Sequence, residues 1–293
     1  MDLPTYDYEP LDANSTKFRL IKLRPARYQP KPGNLPSDDI YCTIMTVDLI
    51  NPPRYEALSY CWGKPVFTHR VVVELDNRVE RQIRITESLH EALRQIRDPS
   101  SDLVVYIDQL CINQAAVAEK NRQVELMGGI YSQSCRVLAW LGPATSASDA
   151  FVDFITDSDS GHGDSNKGCD QELRSLMDIE DLGQELDQLI FYASKAPYTG
   201  FLDFVSRQWY WRMWIIQEAC LGREVVFICG SKRCCIDCVE HFLFLLSLSI
   251  NIRSTMGLTV GCHRKWAKES SDFTQLTEPL IHTIQDHLMD NPT

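Results

Sequence analysis

The stretch LVVYIDQLCINQAAVAEKNRQVELMGGIYSQSCRVLAWLGP, residues 103–143, determines the fold class of this 293-residue chain. It opens with LVVYID (Leu103 to Asp108), a continuous apolar run that is typical of a strand buried on both faces of a sheet. Residues 118–134 show helical periodicity, with an apolar stripe at Val124, Met127, Ile130 and Tyr131. RVLAWLGP (Arg136 to Pro143) is a second buried strand with a Gly-Pro stop. This order of strand, helix and strand predicts a parallel α/β unit.

The chain before this stretch predicts further strands. KFRLIKLRPA (Lys17 to Ala26) and DIYCTIMTVDL (Asp39 to Leu49) are separated by a Pro/Gly-rich connection, and we expect them to pair as an N-terminal ribbon. YEALSY (Tyr55 to Tyr60) is a short strand that ends in a tight loop. VVVEL (Val71 to Leu75) and RQIRIT (Arg81 to Thr86) predict a hairpin.

A helix follows the hairpin over SLHEALRQIR, with either Thr86 or Ser88 as its N-cap. The predicted fold class is therefore α/β. It is a mainly parallel sheet flanked by helices, with the N-terminal ribbon and the hairpin added to it.

The second half of the chain is interrupted by a polar segment. Residues 157–171 carry almost no apolar side chain, which predicts a flexible surface insertion. We expect a helix at about Ile179 to Ala193, a Trp-rich helix from Trp209 to Gly222, and a strand, EVVFICG, over residues 224–230. The predicted organisation is an N-terminal tail over residues 1–16, one domain over 17–230, and a helical extension of that domain over 231–293.

Composition and charge exclude several classes of protein. The chain has 29 basic and 40 acidic residues and a net charge of -11, which disfavours non-specific attraction to nucleic acid or anionic lipid. The first residues lack the pattern of a secretory signal, and the longest apolar run, Phe242 to Ile250, is too short to span a bilayer. We expect a cytoplasmic protein that binds neither nucleic acid nor membrane, and whose 11 cysteines are reduced core thiols.

The Trp-rich helix is the strongest local signal for a functional site. Helical spacing places a carboxylate on an aromatic stripe made by Trp211, Trp214, Glu218 and Leu221. An ionised carboxylate that leaves water must be paired, protonated or retained for function. The alternative to a functional Glu218 is a structural ion pair with a nearby arginine such as Arg207 or Arg212.

Polar groups at the predicted strand ends are further candidates. Asp108 ends the strand LVVYID, and the carboxyl ends of parallel strands line the crevice where α/β folds bind ligands. Trp62 and Gly63 leave their strand at the same edge if the two strands are parallel. The alternatives are an aspartate that caps the next turn or helix, and a glycine required only by the turn geometry.

The cysteines give weaker candidates. Cys235 and Cys238 form a C-x-x-C pair that could donate two thiolates to zinc, but a second well-spaced pair is missing, so buried thiols without metal are the favoured interpretation. A cysteine nucleophile at Cys61 or Cys111 would need a histidine within hydrogen-bond reach. The sequence contains no Walker loop, no G-x-G-x-x-G and no H-E-x-x-H, so ATP-driven chemistry and hydride transfer lack support.

Three blocks in fixed order resemble the signature of the fungal heterokaryon incompatibility (HET) domain. They are YEALSYCWG (residues 55–63), the segment from VVYIDQLCINQ to VLAWLG (residues 104–142), and the W-x-x-R-x-W-x-x-Q-E pattern. The third block is less regular, and its elements are Trp209, Arg212, Trp214, Gln217 and Glu218. The resemblance covers about residues 17–230, and three ordered blocks are more specific than one motif.

This resemblance implies a role in fungal non-self recognition, in which contact between incompatible strains triggers regulated cell death. The family also looks remotely similar to Toll/interleukin-1 receptor (TIR) domains, which implies a flavodoxin-like fold and, as in several TIR branches, cleavage of NAD+. The chain would then be a NAD+ nucleosidase that uses NAD+ as substrate, without a metal or other cofactor. The implied catalytic residue is Glu218, and the implied substrate-binding residues are Ser59, Tyr60, Trp62, Gly63, Asp108, Arg212 and Trp214.

Two other functions stay open at this point. One is a non-catalytic signalling module that forms homo-oligomers or binds a protein recognition partner, and a Glu218 closed off from solvent by an arginine would favour it. The other is a cysteine protease of the cell-death kind.

Overall fold

The computed structural model describes residues 3–12, 14–28, 39–76, 79–157, 197–212, 214, 218–239 and 242–243. The strands are β1 (Lys17–Leu23), β2 (Ile40–Asp48), β3 (Glu56–Tyr60), β4 (His69–Glu74), β5 (Glu80–Ile85), β6 (Leu103–Tyr106), β7 (Val137–Trp140), β8 (Val225–Cys229) and β9 (Lys232–Cys235). The helices are α1 (Glu87–Ile96), α2 (Asp108–Cys111), α3 (Val117–Gln133), α4 (Ser146–Asp157) and α5 (Tyr198–Val205), with a 3-10 helix at Gln208–Trp211. Two compact units result: residues 1–143 with 211–231, and residues 144–210 with 232–293.

The first unit is built on a sheet with the strand order β5-β4-β2-β1-β6-β3-β7-β8. The α/β fold class is confirmed, but the expectation of a mainly parallel sheet is not supported. β3 pairs parallel with both β6 and β7, and β7 pairs parallel with β8. β1 instead pairs antiparallel with both of its neighbours, β2 and β6. The sheet is mixed because the N-terminal ribbon is part of it.

The predicted ribbon and hairpin both form. β1 and β2 pair over seven residues from Lys17↔Asp48 to Leu23↔Cys42, and β4 pairs antiparallel with β5. β2 also pairs parallel with β4. The ribbon and the hairpin therefore extend the sheet, and the buried apolar side chains of β1 and β4 are part of its core.

Helix α1 begins where its capping chemistry predicts. Thr86 is the N-cap, and its hydroxyl oxygen accepts the Leu89 backbone N–H. The apolar stripe of α1 is buried at Leu89, Ala92, Leu93 and Ile96. Ser88 has a different role, because its hydroxyl donates to the carbonyl of Cys61 in the loop after β3.

A buried ion pair in the first unit has no counterpart among the sequence-based expectations. The guanidinium of Arg19 on β1 is 1% exposed and lies 2.6 Å from the Glu119 carboxylate of α3. Arg19 also donates to the carbonyls of Cys111 and Glu9. This network holds the N-terminal residues and the end of α2 against the sheet. An arginine in a strand that is otherwise buried was the only signal in the sequence.

The prediction of one helix from Trp209 to Gly222 is wrong. The 3-10 helix ends at Trp211, Arg212 lies outside any helix, and Trp214 lies in a turn. Residues six apart point to different sides of an α-helix, so Arg212 could not pair with Glu218 if the helix were continuous. The predicted shared face is also absent: Trp211, Trp214 and Leu221 are 62%, 44% and 45% exposed, whereas Glu218 is 1% exposed.

The second unit packs helices around phenylalanine rings. Phe151 of α4 contacts Phe201 and Phe204 of α5 as well as Phe242. Gly200 permits the close approach of the two helices, because a Cβ there would lie 2.1 Å from the carbonyl oxygen of Ala147. The Lys232 ammonium on β9 pairs with Asp153 on α4.

Several expectations fall outside the described residues. They are the polar insertion beyond Asp157, the helix at about Ile179 to Ala193, and most of the extension over residues 231–293. Within the described part of the chain, none of the helices has the length and apolarity needed to cross a membrane.

Candidate functional site

The candidate site lies where β3 and β6 end at one edge of the sheet. The two strands are parallel neighbours, with Ala57 paired to Tyr106, so their carboxyl ends meet. Ser59 and Tyr60 are the last residues of β3, and Trp62 follows in the loop. Asp108 follows β6 as the first residue of α2. This pairing brings the indole Nε1 of Trp62 to 2.8 Å from a carboxylate oxygen of Asp108.

Glu218 reaches the same region from the segment after the 3-10 helix. Arg212 donates through both terminal nitrogens, with Nη1 at 2.8 Å from Oε2 and Nη2 at 3.0 Å from Oε1. The hydroxyl of Ser59 donates to Oε2 as well. A bidentate guanidinium-carboxylate pair is the strongest geometry that these groups form. The carboxylate is therefore held on both oxygens.

The backbone around Glu218 explains how the carboxylate is positioned. Its N–H donates to the Trp214 carbonyl at 3.0 Å, which begins a helical turn. Downstream, Gly222 lies against Val137 of β7, where a Cβ would come within 2.5 Å of a methyl group. A Cβ at Gly128 of α3 would meet Leu221 at 3.5 Å. The turn is thus packed between β7 and α3 and places Glu218 beside Ser59.

The charges of the site are coupled. Burial, together with the negative charge of Glu218, raises the pKa of the Asp108 carboxyl to about 6, against the lowering effects of the Trp62 N–H and the Arg212 guanidinium. Burial lowers the pKa of Arg212, but the charge and hydrogen bonds of Glu218 outweigh it and raise that pKa above its ordinary value. The Arg212 guanidinium thus interacts with two carboxyl groups, of which Asp108 has the raised pKa.

The other predicted site residues differ in environment. Tyr60 is 1% exposed, and its hydroxyl lies 3.5 Å from the side-chain oxygen of Gln109. Gly63 has a φ of 70°, so the turn itself requires glycine. Trp214 is exposed and, apart from its carbonyl contact with Glu218, makes no hydrogen bond to the predicted site residues among those described. Sequence reasoning missed Gln109, a buried amide at the start of α2.

The described residues do not support a cysteine nucleophile. Cys111 is fully buried, its Sγ accepts the Ile107 backbone N–H, and burial raises the pKa of its thiol to about 12. Burial also raises the pKa of the Cys61 thiol. In the part of the chain that the structure describes, neither thiol has a histidine as hydrogen-bond partner, and His69 and His90 instead stack on each other.

Cys235 and Cys238 lie together in the second unit with their Sγ atoms 3.0 Å apart. Over the residues described, no group of three or more His, Cys, Asp or Glu side chains could hold a metal ion.

Comparison with known proteins identifies the family. The profile of the family described as "Heterokaryon incompatibility protein (HET)" matches residues 55–218, a range that begins just before β3 and ends at Glu218. The chain belongs to the HET family. The match includes every predicted site residue of the first unit.

One curated relative of this HET domain is "Heterokaryon incompatibility protein 6, OR allele" of Neurospora crassa. The two are 35% identical over an alignment of 250 residues, which covers 79% of this chain and 36% of the relative. The chain thus spans about a third of the length of the relative. No solved structure matches the chain.

Proposed function

We propose that this HET domain is a cytoplasmic signalling module of fungal non-self recognition. It acts by association with a recognition partner or with further copies of itself, and this association leads to regulated cell death. Membership of the HET family and the name of the Neurospora relative support the recognition role.

The burial and pairing of the Glu218 carboxylate favour a signalling module over an enzyme. The carboxylate is 1% exposed, Arg212 occupies both of its oxygens, and Ser59 adds a third hydrogen bond. A substrate hydroxyl could reach this carboxylate only after the ion pair had opened. Opening a buried ion pair leaves two desolvated charges, which costs several kcal/mol. A closed pair of this kind is typical of a structural centre that fixes one conformation.

Exposed apolar side chains near Glu218 in the chain support association. Trp211, Trp214 and Leu221 are large, apolar and partly open to solvent. Tryptophan is enriched in protein interfaces, because its ring buries a large apolar area and its indole N–H can still donate a hydrogen bond. These side chains are suited to a protein contact rather than to the core.

NAD+ cleavage is the second candidate, and the environment of Asp108 favours it. Asp108 lies at the end of a parallel strand, and its pKa is raised to about 6 by burial and by the second carboxylate, Glu218. Such a raised pKa is typical of functional sites. The order β6-β3-β7-β8 corresponds to 2-1-3-4 in chain order, with which flavodoxin-like sheets begin. This order supports a remote relation to TIR domains for that half of the sheet.

In that mechanism Glu218 would accept a hydrogen bond from the nicotinamide ribose and stabilise the oxocarbenium-like state as the N-glycosidic bond breaks. Neutral nicotinamide leaves without a general acid. Trp62 or Trp214 would stack on a ring of the substrate, and Asp108 would hold a hydroxyl. Arg212 would have to release Glu218 first.

The deciding assay measures nicotinamide release by the purified chain after forced clustering through a fused dimerisation tag. The module predicts no release above that of a tag-only control. Release that depends on clustering and is abolished in a Glu218→Gln variant that stays folded would replace the module with the enzyme. Glu218→Gln is chosen because it keeps the shape of the side chain and removes its charge.

A further inference from the structure

The end of strand β9 places two thiols on one side of the chain. Successive residues of a strand point to opposite faces, so Cys234 and Cys235 point in opposite directions. Cys234 is 4% exposed, whereas Cys235 is half-buried. Residues 236–239 then turn as a helix and bring Cys238 back toward Cys235.

The two sulfur atoms are already close. The Sγ atoms of Cys235 and Cys238 are 3.0 Å apart, about 1 Å more than the length of a disulfide bond. Formation of the bond requires the two sulfur atoms to approach each other by about that difference.

We propose that Cys235 and Cys238 are a reversible redox pair, which a low-molecular-weight disulfide such as glutathione disulfide converts to an intramolecular disulfide. The more exposed Cys235 thiolate attacks one sulfur of the oxidant, forms a mixed disulfide and releases one glutathione thiolate. Cys238 then loses its proton and attacks the Cys235 sulfur, and the second glutathione thiolate leaves. The two protein thiols lose two electrons and two protons, and the oxidant becomes two thiols.

The disulfide would fix the junction between β9 and the helical residues 236–239. β9 is also tied to α4 through Lys232 and Asp153. Oxidation would therefore constrain one end of the second unit.

The test equilibrates the native full chain with excess glutathione disulfide, blocks the remaining thiols and analyses the tryptic peptide of residues 234–253 by mass spectrometry. We expect this peptide to lose two hydrogens and to carry a 235–238 bond, and to do so faster in the native protein than in urea. Absence of the bond, or equal rates in the native and unfolded chains, would overturn the proposal.

Three variants assign the bond. Cys234→Ser is the matched control and should still form it. Cys235→Ser should give no intramolecular disulfide, and Cys238→Ser should accumulate glutathione on Cys235. Loss of the bond in Cys234→Ser would instead place the reactive pair at Cys234. The wild-type peptide gives a result even if a variant fails to fold.

Discussion

The Glu218 carboxylate and the Arg212 guanidinium stabilise each other, and either one alone is a buried charge without a partner. Removing one member of a buried pair typically costs about 3 kcal/mol or more, whereas replacing both by neutral groups costs far less. Arg212 keeps 19% of its side chain exposed, which moderates its own desolvation. The pair therefore suits a double-mutant cycle.

We predict that Arg212→Met lowers the free energy of unfolding by about 3 kcal/mol, because the buried Glu218 carboxyl then loses its counter-charge and keeps only the hydrogen bond from Ser59. Arg212→Met combined with Glu218→Gln should recover at least about 1 kcal/mol of that loss. Urea denaturation of the wild type, both single variants and the double variant measures the coupling. Additive effects of the two changes would show that the ion pair contributes nothing.

Asp108 gives the site a predicted pH dependence. Its folded-state pKa of about 6 lies above the ordinary value of an aspartate, about 3.9, so the folded protein holds this proton more tightly than the unfolded chain does. The carboxyl is neutral in both states at low pH, and its ionisation destabilises the fold as the pH rises through 4 to 6. Relative to Asp108→Asn, the wild type should lose about 2 kcal/mol of stability between about pH 4 and pH 7.

Urea titrations of the two proteins across that range test this dependence. Trp62→Phe is the companion variant, because it removes the N–H that lowers the pKa of Asp108 and should shift the transition to higher pH. A stability difference between the wild type and Asp108→Asn that does not change with pH would contradict the raised pKa.

At the level of helices and strands, periodicity predicted the elements whose burial is decided locally. β1, β2 and β6 lie inside the ranges that their apolar patterns indicate, and β4 and α1 match theirs to within two residues at each end. Thr86 caps α1 as its chemistry suggests. The antiparallel pairing of β1 with β6 was not predicted, because strand order depends on contacts between distant segments.

Only part of the site was predictable from the sequence, because some of its contacts also join distant segments. Parallel strand ends meet at one edge, and this rule alone places Trp62 beside Asp108. The bond from Ser59 to Glu218 joins residues 159 positions apart, and no local pattern encodes it. The prediction of a Trp-rich helix was wrong because helical spacing does not encode the ion pair between Arg212 and Glu218. This pair requires a different path of the chain between the two residues.

Gly200 provides a test of how α4 and α5 pack. We predict that Gly200→Ala destabilises the second unit by at least about 2 kcal/mol, because the added Cβ meets the backbone oxygen of Ala147 at 2.1 Å and a backbone atom cannot move aside cheaply. Thr199→Ala, on the exposed side of the same helix, is the control and should be neutral. Thermal unfolding followed by circular dichroism compares the two. Equal stabilities would mean that the helices are not in close contact at Gly200.

At the scale of the whole molecule, the first unit is completed by a segment that returns late in the chain. Residues 211–231 bring β8 alongside β7 and Glu218 to Ser59, although residues 144–210 belong to the other unit. The Arg212–Glu218 pair is thus a point at which a distant segment is attached to the sheet. A module needs this attachment, whereas an enzyme needs the carboxylate itself.

A cell-killing assay of a variant without the Arg212–Glu218 charges distinguishes the module from the enzyme most directly. The chain carrying both Arg212→Met and Glu218→Gln is expressed in fungal cells beside the wild type, and its thermal unfolding is checked on purified protein. The account predicts that this folded double variant kills as efficiently as the wild type, because the packing of the centre is kept and only its two opposite charges are lost. A folded double variant that no longer kills, while the wild type does, would contradict it.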